Sequence, residues 1–185
     1  MRLRTIGLAT MRVVSIDVVL RDARRDDAPR LTELWIEFGA YYEAIDPFEF
    51  QTPSRDGLVD WMADEISSER SDDELYVVAE MDGAVVGYVR AQVSRPQDQP
   101  ERHVLRTMGV ATLKVDALMV SHDARRKGIA TELMAHVESW GASRGATEAF
   151  VISYATSPTS VPFYEARMGY APKTTGYWKL LPRAL

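Results

Sequence analysis

The chain of 185 residues contains no cysteine. A disulfide framework, a thiolate metal site and an acyl-cysteine intermediate are therefore excluded. The three histidines, His103, His122 and His136, lack the spacing that is typical of metal ligands. The sequence also has neither a Walker-type phosphate loop nor a dinucleotide-type glycine motif. We therefore expect no metal site.

Long apolar runs and an excess of positive charge are missing as well. No stretch is apolar over the roughly 20 residues that a membrane-spanning helix needs. The net charge of −5 argues against general nucleic-acid binding. Residues 1–12 carry positive charges without a sustained apolar core, so we interpret them as a disordered lead-in and not as a signal peptide, with Met11 as an alternative start. These features predict a cytoplasmic protein without a nucleic-acid or membrane partner.

The order of the predicted elements is mixed α/β, in a single domain from residue 13 to residue 185. Strands are predicted where β-branched and aromatic residues cluster, at residues 13–21, 75–80, 84–93, 113–120, 149–154, 170–173 and 176–181. Asp82-Gly83 predicts a hairpin turn between two of them. Helices are predicted at about residues 26–45, 54–67, 129–144 and 160–168. Residues 94–112 show no period and predict a long loop.

The stretch from Leu113 to Arg144 organises this pattern. A mostly apolar strand is followed by a cationic turn that ends in Gly128, and then by a helix with one apolar face. Free backbone N–H groups and the positive end of a helix dipole meet at such a turn, beside Lys and Arg side chains. The layout predicts an anion site, for phosphates especially.

The turn Arg125–Ala130 matches Arg/Gln-x-x-Gly-x-Gly/Ala, and Phe163–Tyr170 reads Phe-Tyr-Glu-Ala-Arg-Met-Gly-Tyr. In these motifs, and in its element order from about Val18 to Leu181, the sequence resembles the GNAT superfamily of N-acetyltransferases. The resemblance implies an α/β (α+β) three-layer fold. Its central sheet would be mixed, mostly antiparallel and of six to seven strands, flanked by about four helices.

The resemblance also implies an activity. An acetyl group would pass from acetyl-CoA to a primary amine of a small molecule or peptide, by direct attack in a ternary complex and without a metal. The alternative is a catalytically silent acyl-CoA-binding sensor or interaction domain. The turn does not distinguish acetyl-CoA from another acyl donor, and a homodimer stays open.

The resemblance implies that the predicted strand at residues 113–120 and the turn after it bind the acyl carrier. Backbone groups of Leu118 and Val120 would bond the pantetheine arm, and the N–H of Met119 or Val120 would face the thioester carbonyl. The family often has Asn where this chain has Ser157. The predicted contacts are Leu118, Met119, Val120, Arg125, Arg126, Lys127, Gly128, Ile129, Ala130 and Ser157.

Two residues are candidates for proton transfer. Asp116 is an acid in an otherwise apolar strand, where burial would raise its pKa and make it a better base. A structural Asp bonded to Lys114 or to nearby backbone is the competing interpretation, with Glu80 or a water chain as the other possible base. Tyr164 matches the family's tyrosine that reaches the carrier's sulfur, and is the candidate acid. Its alternative role is that of a buried anchor of the helix.

The acceptor is the least constrained part. The regions that bind it in the family supply acids and aromatic residues here, which suit a cationic amine. The predicted acceptor contacts are Tyr42, Phe48, Glu80 and Tyr177. A polyamine, an amino sugar, an amino acid and a protein N-terminus all stay open.

Overall fold

The computed structural model of the protein describes residues 17–68 and 71–179. The predicted lead-in, the first residues of the first predicted strand and the end of the last one lie outside these ranges. The described ranges form five strands: β1 (Val18–Asp22), β2 (Glu74–Met81), β3 (Ala84–Ser94), β4 (Thr112–Val120) and β5 (Glu148–Val151). The helices are α1 (Ala28–Glu43), α2 (Leu58–Ser67), α3 (Ile129–Ser143) and α4 (Ser160–Pro162), which continues as a π-helical turn over Phe163–Arg167.

The five strands form one mixed sheet in the order β1-β2-β3-β4-β5. The first four strands are antiparallel neighbours, and β5 runs parallel to β4 because α3 carries the chain back across the sheet. The predicted Asp82-Gly83 hairpin is confirmed. Both residues have positive φ angles, 53° and 77°, as a two-residue hairpin turn requires.

Helices cover both faces of the sheet and give three layers. On one face, α1 and α2 bury Leu31, Leu34, Met62 and Ile66 against strand residues that include Val78. On the other face, α3 buries one apolar stripe against the sheet, made of Ile129, Leu133, Met134 and Val137. These residues lie four, one and three positions apart, so they share one side of their helix. Within the described ranges, no helix is both long and apolar enough to cross a membrane.

The predicted sheet of six to seven strands is wrong, since the described sheet has five. Residues 170–179 form no strand, and the side chains of Tyr177 and Trp178 are 91% and 86% exposed. Pro172 lies inside the first of the two predicted closing strands and has no N–H to donate to a ladder. The strand predicted at 149–154 also ends early, at Val151.

The middle of β4 has two irregularities. Arg90 of β3 pairs with Ala117 and Ala91 pairs with Val115, so Asp116 is the extra residue of a β-bulge. On its other side, β4 pairs with β5 only as far as Val115 and Val151. The second half of β4 therefore has a strand on one side only, and the sheet opens there.

Strands β3 and β4 approach each other closely at Gly87. A Cβ atom at this position would lie 2.6 Å from the Met119 carbonyl oxygen. We predict that Gly87→Ala pushes the two strands apart and costs about 1–3 kcal/mol of stability, measured by thermal unfolding. Gly176→Ala is the control, because the nearest atom to its added carbon would be 3.8 Å away. Equal melting temperatures for the two variants would show that the contact is not tight.

Candidate active site

A cavity of about 620 Å³ occupies the place where β4 and β5 separate. Its walls are the second half of β4, the inner side of α1, the turn before α3, residues 151–153 after β5, and the start of the last helix. Many of the predicted site residues line it: Tyr42, Asp116, Leu118, Met119, Val120, Arg125, Arg126, Gly128, Ile129, Ala130 and Tyr164. The described structure thus brings most of the predicted carrier residues and both predicted catalytic residues to one cavity.

Backbone groups of β4 alternate in direction along the cavity. The N–H of Ser121 donates to the Val86 carbonyl of β3 over 2.8 Å. Because direction alternates along a strand, Met119 also faces β3, while Leu118 and Val120 face the opening. The Val120 carbonyl accepts a 3.2 Å hydrogen bond from Arg125 Nε. Of the two predicted N–H groups, only that of Val120 therefore faces the cavity.

The turn before α3 presents a row of free N–H groups. Arg126 and Gly128 have φ angles of 65° and 85°, and this left-handed geometry turns successive N–H groups outward. The first helical N–H that donates back along the chain is that of Glu132, to the Gly128 carbonyl over 3.1 Å. Among described residues, none accepts a hydrogen bond from the N–H groups of 126–131. Free N–H groups beside the positive end of a helix dipole favour the binding of an anion.

The charged side chains of the turn have different surroundings. Glu37 of α1 accepts hydrogen bonds from the His122 N–H at 2.6 Å and from the Arg125 guanidinium at 3.2 Å. The same guanidinium lies 5.5 Å from the centre of the Tyr41 ring. Arg126 and Lys127 are exposed and form no ion pair with the described residues. Arg125 therefore fixes the turn to α1, and the next two side chains leave positive charge available.

Two tyrosines of α1 bridge to the start of α4. The Tyr41 hydroxyl bonds to Thr159 Oγ1 at 2.7 Å, and the Tyr42 hydroxyl bonds to Ser160 Oγ at 2.9 Å. Ser157 is buried, and its hydroxyl accepts a 3.2 Å hydrogen bond from the Ser160 N–H. The predicted carrier contact at Ser157 does not line the cavity, and its hydroxyl bonds to the first residue of the last helix.

Tyr164 lies in the cavity wall on the last helix. Its ring packs edge-on against Phe163 and Tyr170, with centroid distances of 5.2 Å and 5.8 Å. Its hydroxyl makes no hydrogen bond within the described part of the chain. Burial raises the pKa of the Tyr164 phenol well above its usual range, and Tyr42 adds to the effect. The group is therefore a protonated donor at neutral pH.

The two predicted bases, Asp116 and Glu80, lie in different parts of the sheet. The expected burial of Asp116 is wrong, because the bulge turns this residue outward and its side chain is exposed. Its carboxylate accepts a 3.0 Å hydrogen bond from Gln92 Nε2. Glu80 does not line the cavity, and it accepts a 2.9 Å hydrogen bond from Arg21 near the opposite edge of the sheet.

The remaining predicted residues do not reach the cavity. Phe48 and Tyr177 are 98% and 91% exposed, and Lys127 lies beside the wall without lining it. Conversely, the sequence interpretation missed Glu37, Ser153 and Arg167 as wall residues. Glu37 precedes Tyr41 by one helical turn, and that spacing is a signal that could have identified it. No grouping of three or more His, Asp or Glu side chains that could hold a metal occurs in the described residues.

Comparison with known proteins identifies the family of this chain. The sequence profile of the acetyltransferase (GNAT) family matches residues 31–170, and the chain belongs to this family. None of the curated protein sequences compared with the chain matches it significantly.

Solved structures share the fold. A ribosomal-protein-alanine N-acetyltransferase from Brucella melitensis biovar Abortus 2308 superposes with a TM-score of 0.63 and 17% identity, over 91% of this chain and 100% of that chain. Glucosamine-6-phosphate N-acetyltransferase from Arabidopsis thaliana gives 0.62 and 18%, over 90% and 99%. A mutant protein from Bacillus halodurans gives 0.73 and 16%, over 88% and 99%.

Proposed function

We propose that the protein is an acetyl-CoA-dependent N-acetyltransferase that acts on a primary amine by direct attack in a ternary complex. The opening between β4 and β5, which leads to a turn lined with free N–H groups, carries this proposal. A strand edge beside an anion site suits a long ligand with amide groups at one end and phosphates at the other. The pantetheine arm and pyrophosphate of CoA have this form.

The carrier would lie along the second half of β4. Its amide groups would pair with the backbone of Leu118 and Val120, which face the opening, and its pyrophosphate would accept hydrogen bonds from residues 126–130. The exposed Arg126 and Lys127 add positive charge near the phosphates. From the turn, the arm leads back toward Ala117 and Asp116, so the thioester would lie near the bulge.

The reaction needs a neutral amine, a polarised carbonyl and a leaving thiolate. Asp116 lines the cavity at the bulge and would take the amine proton, directly or through water. Glu80 suits this role less, because Arg21 holds its carboxylate away from the cavity. The Leu118 N–H also faces the opening, lies next to the bulge and would polarise the carbonyl. Tyr164 would protonate the thiolate.

The acceptor class stays open between small molecules and peptides. The relatives named above act on a sugar phosphate and on a ribosomal protein. Apolar and aromatic side chains of α1 line the cavity on the side away from α3: Leu34, Phe38 and Tyr42. Beyond Asp116, the carboxylate on this wall is that of Glu37, which Arg125 already binds. This wall favours an amine with an apolar or aromatic neighbouring group over a polyamine.

The central experiment measures thiol release from acetyl-CoA with a panel of amines, together with calorimetry of CoA binding. The panel should include an aromatic amine, a polyamine, an amino sugar and a peptide with a free N-terminus. We expect CoA binding and turnover, with preference for the aromatic amine. Tight CoA binding without turnover on any amine would favour the silent sensor domain instead.

The phosphate site can be tested at Gly128. Gly128→Glu places bulk and negative charge at the row of N–H groups, so we expect CoA binding to be lost. Gly145→Glu is a matched control, because both glycines have a φ of 85° and open space around an added Cβ, but Gly145 lies at the far end of α3. The two variants should lose similar stability from backbone strain. Equal CoA affinity in the two variants, measured by calorimetry, would place the phosphate site elsewhere.

The proposed role of Tyr164 as the general acid can be tested with Tyr164→Phe. We expect kcat to fall at least about tenfold because the proton donor is lost. The melting temperature should barely move, since the hydroxyl makes no bond with the described residues. Tyr170→Phe is the control, because its hydroxyl donates to Glu138 at 2.9 Å. That variant should lose about 1 kcal/mol of stability and keep its kcat. The opposite pattern would remove Tyr164 from the catalytic residues.

The proposed role of Asp116 as the general base can be tested with Asp116→Asn, which keeps the shape of the side chain. We expect turnover at neutral pH to fall by about 10²-fold while CoA affinity is kept. Glu80→Gln in the same assay tests the second candidate base and should keep its turnover. If turnover by Asp116→Asn equals that of the parent from pH 6 to pH 9, Asp116 is a structural partner of Gln92.

A further inference from the structure

The sheet does not fix the width of the opening beyond the end of its parallel ladder. The last pair between β4 and β5 joins Val115 and Val151. Past this pair, one wall of the cavity continues as β4 and the turn before α3. The other wall continues as residues 151–153 and the start of the last helix. The separation of the two walls beyond this point depends on their contacts with other elements.

The Tyr41 side chain of α1 lines the cavity and contacts both walls. The Arg125 guanidinium of the turn lies 5.5 Å from the centre of its ring, close enough for cation–π attraction. Its hydroxyl bonds to Thr159 Oγ1 at 2.7 Å, immediately before the last helix, and Ser157 Oγ lies 3.5 Å from the same hydroxyl. One half-buried side chain thus spans the opening.

Each end of this bridge leads to a group that the proposed reaction uses. On the side of the turn, Arg125 also donates to the Val120 carbonyl over 3.2 Å, and the row of free N–H groups follows it directly. On the other side, the Thr159 carbonyl accepts a 3.2 Å hydrogen bond from the Phe163 N–H. The next residue is Tyr164. The bridge therefore connects the turn to the helix that carries the Tyr164 phenol.

The neighbouring Tyr42 makes only one half of such a bridge. Its hydroxyl bonds to Ser160 Oγ at 2.9 Å, at the start of the last helix. Its ring packs on Phe38 and Phe50, with centroid distances of 4.6 Å and 4.9 Å. Of these two tyrosines, Tyr41 is therefore the one that joins the last helix to the turn.

We propose that Tyr41 is a positioning residue that sets the distance from the bound carrier to the Tyr164 phenol. This inference rests on the proposed function, in which the carrier lies along β4 and the turn while Tyr164 protonates its thiolate. Proton transfer requires hydrogen-bond distance between donor and acceptor. A displacement of about 1 Å can cost about 10²-fold in rate. Tyr41 itself exchanges no proton in the reaction.

The experiment measures kcat, the amine KM and CoA affinity for Tyr41→Phe. This substitution keeps the ring beside Arg125 and removes the hydroxyl that bonds to Thr159. We expect CoA affinity to be unchanged, since the turn keeps its contacts with the ring and with Glu37. The amine KM should also be unchanged. The kcat should fall about three- to tenfold, because the helix that carries Tyr164 is held less firmly.

Substitutions at Thr159 break or keep the same bond from its other end. Thr159→Val removes the hydroxyl at nearly constant shape and should reproduce the loss of kcat. Thr159→Ser keeps a hydroxyl and should retain the kcat of the parent. The double variant of Tyr41→Phe and Thr159→Val should lose no more than either single variant, because each of them removes the same bond. Losses that multiply would contradict a shared bond.

A further pair of variants tests whether Tyr41 acts through Tyr164. In a Tyr164→Phe background the proposed proton donor is absent, so adding Tyr41→Phe should not lower kcat further. Tyr170→Phe is the control background, since it removes the phenol that donates to Glu138. There the addition of Tyr41→Phe should lower kcat by the same factor as in the parent.

Each other outcome overturns the inference. A parental kcat in Tyr41→Phe, or a loss that persists in the Tyr164→Phe background, would show that Tyr41 does not act through Tyr164. A parental kcat in Tyr164→Phe would remove the group that Tyr41 is proposed to position. A raised amine KM alone would make Tyr41 an acceptor contact, and a lower melting temperature with parental kcat would make it purely structural. A parent that binds no CoA and acetylates no amine would instead refute the proposed function itself.

Discussion

The site depends on the ending of one ladder of hydrogen bonds. After Val115, β4 loses its neighbour β5 while it keeps its neighbour β3, so the backbone groups of Leu118 and Val120 face a space and not a strand. Unpaired backbone groups are costly when buried and are satisfied when a ligand or water replaces the missing strand. Separation of the two strands therefore creates the cavity and leaves a strand edge with which an extended, amide-bearing ligand could pair. The bulge at Asp116 lies at the same point of β4 and places an exposed acid at the edge of the cavity.

Local signals in the sequence were sufficient to predict the secondary-structure elements around this opening. The Asp82-Gly83 hairpin, the apolar stripe of α3 and the glycine turn before it depend on residues close in sequence, and all are present as predicted. Membership of the acetyltransferase (GNAT) family, expected from the turn and the motif at Phe163–Tyr170, is confirmed.

Features that depend on pairing between distant segments were not predicted. Nothing near Val151 indicates that β5 stops there, because its length is set by where β4 diverges. The bulge at Asp116 can be recognised only when the residues of β3 and β4 are paired with each other. Because the bulge was not predicted, Asp116 was expected to be buried, whereas it is exposed. Glu80 was the second candidate base, and only the fold places it beside Arg21.

Glu37 links the two sides of the cavity. Its carboxylate holds the turn through the His122 N–H and Arg125, and it belongs to the same helix as Tyr41 and Tyr42, which reach across to Thr159 and Ser160. The turn and the aromatic wall are therefore parts of one hydrogen-bonded frame. Binding at one side that orders this frame lowers the entropic cost of binding at the other. By thermodynamic reciprocity, the factor by which an anion at the turn strengthens acceptor binding equals the factor by which the acceptor strengthens anion binding.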